Sequence, residues 1–273
     1  MTSTPGFNSS PDGGSSVRIG AVSYLNTKPL VYGLQQLLPD AEIVYDLPSR
    51  LADELATGKL DVALIPSIEY LQQPGYTIIS DACIACRGPV YSVQLLSRKP
   101  IQEIETLALD EGSRTSVAMV QILLKQRFNL LPRLEPFPIG SDISELPSDA
   151  VLVIGDRAMH LSNDGFHETW DLGDQWCRWS ELPFVFAMWV ARQSFSEHFE
   201  RVQAALTTAR DQGLDHLEEI AEEESSHVQL TQPQCLAYLR DNLHFQLGSR
   251  EQQGLELFFD HAQKLDLLAS RTF

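Results

Sequence analysis

Short apolar segments that alternate with helical segments restrict the fold of this chain more than any other feature of its sequence. Apolar runs occur at residues 17–22, 61–65, 106–109 and 150–154, and the run at 61–65 is nearly continuous, as in a strand covered on both faces. Each run ends in a polar turn, and a helical pattern follows it. This alternation predicts an α/β fold with largely parallel sheets.

The strand and helix signals fall into two blocks. The apolar strand at residues 183–191 reads as a return from the second block to the first, and the pattern after it is helical to the end. We therefore predict one lobe from residues 17–97 plus 188–273 and a second lobe from residues 98–187. Parallel sheets bind ligands beyond the carboxyl ends of their strands, so a cleft between the lobes is expected.

The charge of the chain limits its partners. Its 273 residues include 20 basic and 37 acidic side chains, for a formal charge of −17. This balance argues against nucleic acid or an anionic membrane as a partner. A site for a small anion must therefore be built locally, from backbone donors and a few Arg residues.

The N-terminal residues carry no visible targeting signal. Residues 1–16 are rich in Ser, Gly, Pro and Asn and are predicted to form a disordered tail rather than a signal peptide. No run approaches the length of a membrane-spanning helix. With four cysteines and no disulfide pattern, the chain is expected to be cytoplasmic.

One cysteine pair has the spacing of a CxxC motif. Cys83 and Cys86 lie within a predicted strand, where residues three apart point to opposite faces. That geometry does not suit chelation or a redox pair, so a zinc site is rejected.

The sequence DEGSRTS at residues 110–116 is the strongest candidate for a ligand site. It follows an apolar strand, and Ser113, Thr115 and Ser116 open a helix whose first N–H groups lack partners within the helix. A carboxylate or phosphate suits such a place. Arg114 adds a planar cation that suits a carboxylate. The alternative is an ordinary helix cap made by Ser113 or Thr115.

A series of motifs, taken together and in this order, resembles the chorismate dehydratases of the futalosine route to menaquinone. The motifs are VSYLNTKPL at 22–30, DVALIP at 61–66, GPVYSV at 88–93, DEGSRTS at 110–116, IGD at 154–156, and Trp176 followed by LPFVFA at 182–187. The resemblance covers residues 17–270. It implies a two-lobed fold like that of type II periplasmic binding proteins, with the ligand held between the lobes. It also implies dehydration of chorismate to 3-[(1-carboxyvinyl)oxy]benzoate.

The turn after the first strand carries candidate substrate contacts. Ser23 and Tyr24 lie at the end of this strand, and the resemblance makes Asn26 a candidate for a catalytic or orienting contact. An Asn side chain both donates and accepts hydrogen bonds, so it suits a leaving hydroxyl or an enolate oxygen. The alternative is that Asn26 caps the following helix.

A second group of candidates surrounds the turn at residues 87–90. Gly88 and Val90 lie where the backbone can approach a ligand, and Arg87 either pairs with a substrate carboxylate or forms a surface ion pair. Related sequences often have Ser where this chain has Cys86. The functional serine of the family corresponds either to Cys86 or to Ser92.

The sequence leaves two candidates for the group that accepts the proton. Asp156 directly follows an apolar strand and is one candidate, although it could instead cap the next helix. The other is the enolpyruvyl carboxylate of the substrate itself. His160 and His167 are expected to be exposed. The reaction needs no metal or nicotinamide, and the sequence offers no convincing site for either.

Other assignments also fit parts of the sequence. Trp176, Trp179, Phe184 and Phe186 either wall the cleft or pack in the core. A non-catalytic solute-binding protein and the related 1,4-dihydroxy-6-naphthoate synthase share the implied fold. The state of assembly, monomer or homodimer, is left open.

Overall fold

A computed structural model describes residues 16–162 and 164–268 of the chain. The predicted disordered tail, residues 1–16, lies outside the described residues except for Ser16. The described chain forms two lobes, each built on one β-sheet with helices packed against it. The predicted two-lobed α/β architecture is confirmed.

Strands and helices are numbered in chain order. The strands are β1 (Arg18–Val22), β2 (Glu42–Asp46), β3 (Val62–Pro66), β4 (Tyr76–Cys86), β5 (Val93–Ser97), β6 (Thr106–Asp110), β7 (Arg133–Phe137), β8 (Ala150–Ile154), β9 (Glu168–Asp171), β10 (Phe184–Arg192) and β11 (His244–Gln246). The α-helices are α1 (Leu34–Leu37), α2 (Pro48–Ala56), α3 (Ser67–Gln72), α4 (Thr115–Phe128), α5 (Leu172–Ser180), α6 (Phe199–Asp215), α7 (Leu217–Glu224), α8 (Gln232–Ala237) and α9 (Ser249–Lys264).

Both sheets contain parallel and antiparallel pairs. The first sheet has the order β11-β4-β10-β3-β1-β2, and β10 runs antiparallel to both of its neighbours. The second has the order β7-β6-β8-β5-β9, and β5 is antiparallel to both of its neighbours. The expectation of largely parallel sheets was therefore wrong. A strand that enters a lobe directly from the other lobe has no crossover helix, so it need not run parallel to the strand beside it.

The chain crosses between the lobes at residues 87–92 and 181–183. The predicted divisions lay at residues 97 and 187, which placed Val93–Ser97 in the first lobe and the start of β10 in the second. Strand pairing places β5 in the second lobe, because it pairs with β8 and β9. It places all of β10 in the first lobe, because β10 pairs with β3 and β4. The apolar pattern of β5 indicates a strand but does not indicate which sheet receives it.

Helix α4 connects the core of the second lobe to the first lobe. It contacts β8 and α5 of its own lobe and α3, α9 and β10 of the other. Its sequence is apolar on almost every side, as expected of a helix buried on all sides. This packing fixes the N-terminal end of α4 at the boundary between the lobes.

Within the described residues, no helix combines the length and apolar character that crossing a bilayer requires.

Candidate active site

A cavity lies between the two lobes, at the carboxyl ends of β1, β3, β6 and β8. It encloses about 530 Å³ of open space, including the part continuous with solvent. The lining residues are Val22, Tyr24, Asn26, Pro48, Pro66, Ile84, Val90, Ser92, Val93, Gly112, Ser113, Arg114, Thr115, Ser116, Ile154, Gly155, Phe186 and Ala187.

The N-terminal end of α4 lies at this cavity. Ser113 caps the helix, because its Oγ accepts the N–H of Ser116 at 3.2 Å. The hydroxyl of Thr115 accepts the N–H of Ile68, in the first lobe, at 3.3 Å. No hydrogen bond recorded for the described residues uses the N–H of Thr115 or Val117. The helix therefore has both the predicted cap and first-turn N–H groups free to bind an anion.

Arg114 also lines the cavity, but its guanidinium pairs with two carboxylates of the first lobe. One Nη atom lies 2.9 Å from the Asp53 carboxylate and the other lies 3.2 Å from that of Glu69. The Glu69 side chain is only 8% exposed, whereas that of Asp53 is 56% exposed. This cation therefore connects the two lobes beside the cavity.

The ring of Tyr24 lines the cavity and packs closely against Gly155, which has no Cβ atom. Gly155 has a φ of +71°, and a Cβ atom there would lie 2.7–3.0 Å from carbons of the Tyr24 ring. Burial raises the pKa of the Tyr24 hydroxyl above its ordinary value, so it remains protonated. Ser23, the preceding residue, is exposed and is not among the lining residues.

Asn26 lines the cavity from the 3₁₀-helix Leu25–Leu30. Its Oδ1 accepts the hydroxyl of Thr27 at 3.3 Å. The N-cap residue of this helix, Tyr24, makes no side-chain capping hydrogen bond, and Asn26 lies inside the helix rather than before it. The amide of Asn26 is therefore available to a bound molecule.

The crossing at residues 87–92 positions Ser92 in the cavity wall. The carboxylate of Asp171 accepts the N–H of Val90 at 3.0 Å and that of Tyr91 at 2.6 Å. Tyr91 has a φ of +66°, a left-handed conformation that a non-glycine residue rarely adopts. These contacts fix the backbone directly before Ser92, which is buried and lines the cavity.

Cys86, at the end of β4, and the first two residues of this crossing lie outside the cavity lining. Cys86 is buried beside Cys177 of α5, whose thiol lies 3.9 Å from the Cys86 carbonyl oxygen. Arg87 forms a 2.9 Å ion pair with the buried carboxylate of Glu251. Gly88 is not a lining residue either. Of the two positions considered for the family serine, Ser92 is the one that lines the cavity.

Asp156 lies beside the cavity without lining it. Both oxygens of its carboxylate accept the N–H of Leu25, at 3.1 and 3.2 Å. Burial raises the pKa of this carboxyl to about 6, although the hydrogen bond from Leu25 lowers it. Asp156 thus connects the first turn after β8 to the first turn after β1, across the two lobes.

The cavity offers hydrogen-bond donors but few acid-base groups. Its described lining includes hydroxyl, amide and guanidinium side chains but no Asp, Glu, His or Lys. His160 and His167 are exposed, as predicted. No cluster of three or more His, Cys, Asp or Glu suited to a metal ion occurs in residues 16–162 or 164–268.

The predicted aromatic residues divide between the cavity and the core. Phe186 lines the cavity. Trp176 is fully buried and packs edge-on against Phe184, with ring centroids 4.9 Å apart, and against Trp179 at 5.4 Å. These three residues therefore belong to the packed core rather than to the cavity wall.

One residue that contacts the site was not predicted. The hydroxyl of Tyr238 donates to Ser92 Oγ at 2.9 Å, across 146 residues of sequence. Tyr238 follows α8 in a segment whose sequence indicates helix and nothing about the site. No local signal could have identified it.

Comparisons with known proteins identify similar sequences and folds. The chain is 31% identical over 257 residues to the chorismate dehydratase of Thermus thermophilus, and the match covers 88% of this chain and 93% of that protein. The solved structure of protein AF1704 from Archaeoglobus fulgidus has a TM-score of 0.74 at 16% identity, covering 92% of this chain and 98% of that one. The alkanesulfonate-binding protein SsuA from Xanthomonas axonopodis pv. citri has a TM-score of 0.66 at 15% identity, covering 95% and 96%.

The structural neighbours confirm the periplasmic-binding-protein-like fold. A family model described as menaquinone biosynthesis matches residues 17–264, which is most of the chain. The resemblance recognised in the sequence motifs is thereby confirmed. The chain belongs to the menaquinone biosynthesis family.

Proposed function

We propose that the protein binds chorismate between its lobes and dehydrates it to 3-[(1-carboxyvinyl)oxy]benzoate in menaquinone biosynthesis. The observation that carries this proposal is the cavity, which has hydroxyl and N–H donors but no acidic side chain among its described lining residues. Family membership and the name of the Thermus relative support the same reaction. The expected cytoplasmic location is part of this proposal.

One substrate carboxylate would bind at the N-terminal end of α4. The N–H group of Thr115 and the hydroxyl of Ser116 are the donors there, and the helix dipole favours a negative charge. Arg114 is already paired with Asp53 and Glu69. Its role in this proposal is to hold the lobes together around the substrate.

Asn26 and Ser92 would act on the leaving hydroxyl. The ring carbon next to the enol ether loses hydroxide, so negative charge develops on that oxygen as the C–O bond breaks. The amide of Asn26 and the hydroxyl of Ser92 both line the cavity and can donate to it. Donors fixed in place before the reaction stabilise such charge without reorganisation.

The proton acceptor in this proposal is the enolpyruvyl carboxylate of chorismate. It removes the proton from the ring carbon that bears the enol ether, the C–H electrons complete the aromatic ring, and hydroxide leaves the neighbouring carbon, so that one water forms in total. Asp156 is a poorer acceptor, because its carboxylate is bound by the N–H of Leu25 and does not line the cavity. Holding the reactive conformer can supply about 7–11 kcal/mol of the barrier reduction.

The reaction can be tested with the purified protein, chorismate and product analysis by liquid chromatography. We expect turnover by the natural chain and a loss of kcat of about 100-fold or more in Ser92→Ala. Ser97→Ala is the matched control, since Ser97 is also buried but its hydroxyl bonds the carbonyl of Lys99 at 2.6 Å, away from the cavity. Thermal stabilisation by chorismate without product would instead indicate a solute-binding protein.

A further inference from the structure

The hydroxyl of Tyr238 reaches the site from the C-terminal helices. Tyr238 is 1% exposed and begins the π-helix Tyr238–Asn242, which directly follows α8. Its hydroxyl donates to Ser92 Oγ at 2.9 Å. A residue that does not line the cavity thus bonds one of the two polar residues proposed to act on the leaving group.

The remaining hydrogen bonds of Ser92 fix its position. Its N–H donates to the carbonyl of Val90 at 2.8 Å, and its own carbonyl accepts the N–H of Gly155 at 2.9 Å. Its hydroxyl has one proton to donate and two lone pairs. Tyr238 occupies a lone pair, so that proton remains available for donation.

Within the described structure, the protein offers this proton a poor acceptor. The carbonyl oxygen of Val90 lies 3.5 Å from Ser92 Oγ, at the outer limit for a hydrogen bond. An oxygen of a bound molecule in the cavity would be a better partner. Donation from Tyr238 therefore directs Ser92 to donate toward the cavity.

We propose that Tyr238 is a positioning residue for the dehydration, which orients the Ser92 hydroxyl as a hydrogen-bond donor to the departing hydroxide. This inference rests on the proposed function. No proton is transferred from Tyr238 in this role; the hydroxyl stays intact and its hydrogen bond to Ser92 persists through the reaction. The fully buried position of Tyr238 supports it, because burial raises the pKa of the hydroxyl and keeps it protonated.

A buried tyrosine hydroxyl also needs a partner for purely structural reasons. A purely structural role predicts that loss of the hydroxyl lowers the free energy of unfolding. It predicts no specific fall in kcat beyond the effect of that lower stability. The positioning role predicts a specific fall in kcat that depends on Ser92. The two roles can therefore be separated by measuring kcat, KM and thermal stability in the same variants.

The first test replaces Tyr238 by Phe, which removes one oxygen and keeps the ring. With chorismate as substrate, we expect kcat to fall about 10-fold to 100-fold, less than for direct removal of a transition-state donor, while KM changes less than about two-fold. Tyr32→Phe is the matched control, since its hydroxyl bonds Glu219 at 3.2 Å on the surface of the first lobe. That control should retain the natural kcat.

The second test is a double-variant cycle with Ser92→Ala. If Tyr238 acts through Ser92, adding Tyr238→Phe to Ser92→Ala lowers kcat no further. Equal losses in both backgrounds, or a full kcat in Tyr238→Phe, would overturn the positioning role while leaving the proposed function intact. Absence of turnover by the natural chain would overturn both.

A third variant tests the same role if Tyr238→Phe does not fold. Incorporation of 3,5-difluorotyrosine at position 238 keeps the hydroxyl and the ring but makes the hydroxyl more acidic. Because burial keeps the natural hydroxyl protonated at alkaline pH, we expect the fluorinated protein to lose kcat at alkaline pH where the natural chain does not, since the donor is lost once this hydroxyl ionises. An unchanged pH profile of kcat would contradict the inference.

Discussion

The carboxylate of Asp156, in the second lobe, accepts the backbone N–H of Leu25, in the first lobe, at 3.1 Å. Both residues begin the turn that follows an apolar strand, so this contact joins the carboxyl ends of β1 and β8 beside the cavity. Together with the ion pairs of Arg114, it holds the lobes in contact around the site. Asp156 therefore contributes to the contact between the lobes.

Asp156→Asn should retain most of the turnover. The Asn carbonyl can still accept the N–H of Leu25, and the proposed base is the substrate. We expect kcat within about ten-fold of the natural chain, because loss of a true general base costs about 10²–10⁴-fold. Steady-state kinetics with chorismate would check this. A loss of about 1,000-fold in a folded variant would instead identify Asp156 as the base.

The same carboxyl should make stability depend on pH. Its pKa is raised from 3.8 to about 6 by burial in the folded chain, so folding favours the protonated form. The contribution of this carboxyl to the free energy of unfolding is therefore fully present below about pH 4, declines between pH 4 and 6, and is lost at higher pH. The Tm of the natural chain, relative to that of Asp156→Asn, should fall as pH rises through this window. A constant difference, or one that grows with pH, would contradict the assignment.

Arg114→Gln should lower stability more than it lowers substrate affinity. It leaves Glu69, which is only 8% exposed, without this cation. We expect a loss of about 1–3 kcal/mol in the free energy of unfolding, below the value for a fully buried pair because the Arg114 side chain is 29% exposed. Urea denaturation would measure the loss, and Glu69→Gln in the same chain should restore part of it. A rise in KM above about 100-fold at unchanged stability would show direct binding of substrate by the guanidinium.

Gly155→Ala should impair both stability and turnover. The methyl group would contact the Tyr24 ring, and the φ of +71° is strained for any residue with a Cβ atom. We expect a loss of about 1–3 kcal/mol in the free energy of unfolding and a reduced kcat/KM, since Tyr24 must move at the cavity wall. Thermal unfolding and steady-state kinetics would measure these effects.

Gly140→Ala separates backbone strain from the effect on Tyr24. Gly140 has a φ of +86° with nothing within 4 Å of the position a Cβ atom would take. Its variant should lose stability and keep its kcat/KM. Equal kcat/KM values for the two glycine variants would mean that the position of Tyr24 is unimportant for turnover.

Local patterns were sufficient to predict most of the elements. The apolar run at Ala150–Ile154 is a strand, and the helix predicted to begin at the DEGSRTS motif is present at Thr115–Phe128. The same patterns did not predict which sheet contains Val93–Ser97, because strand pairing depends on contacts between residues far apart in sequence. The mixed sheets were missed for this reason.

The site was predictable only where its residues form one continuous motif. The turn before α4 and the turn after β1 both line the cavity. The partners of their side chains could not be read from the sequence. Arg114 pairs with Asp53, 61 residues away, and Arg87 pairs with Glu251, 164 residues away. A guanidinium in a motif indicates an anion nearby, but the anion here is a carboxylate of the protein itself.

The most direct test of the account is the product formed when the purified natural chain is incubated with chorismate and no added cofactor. Mass spectrometry should show 3-[(1-carboxyvinyl)oxy]benzoate accumulating over many turnovers, with one water lost per substrate. Chorismate recovered unchanged, from a protein that it nonetheless stabilises against heat, would contradict the account.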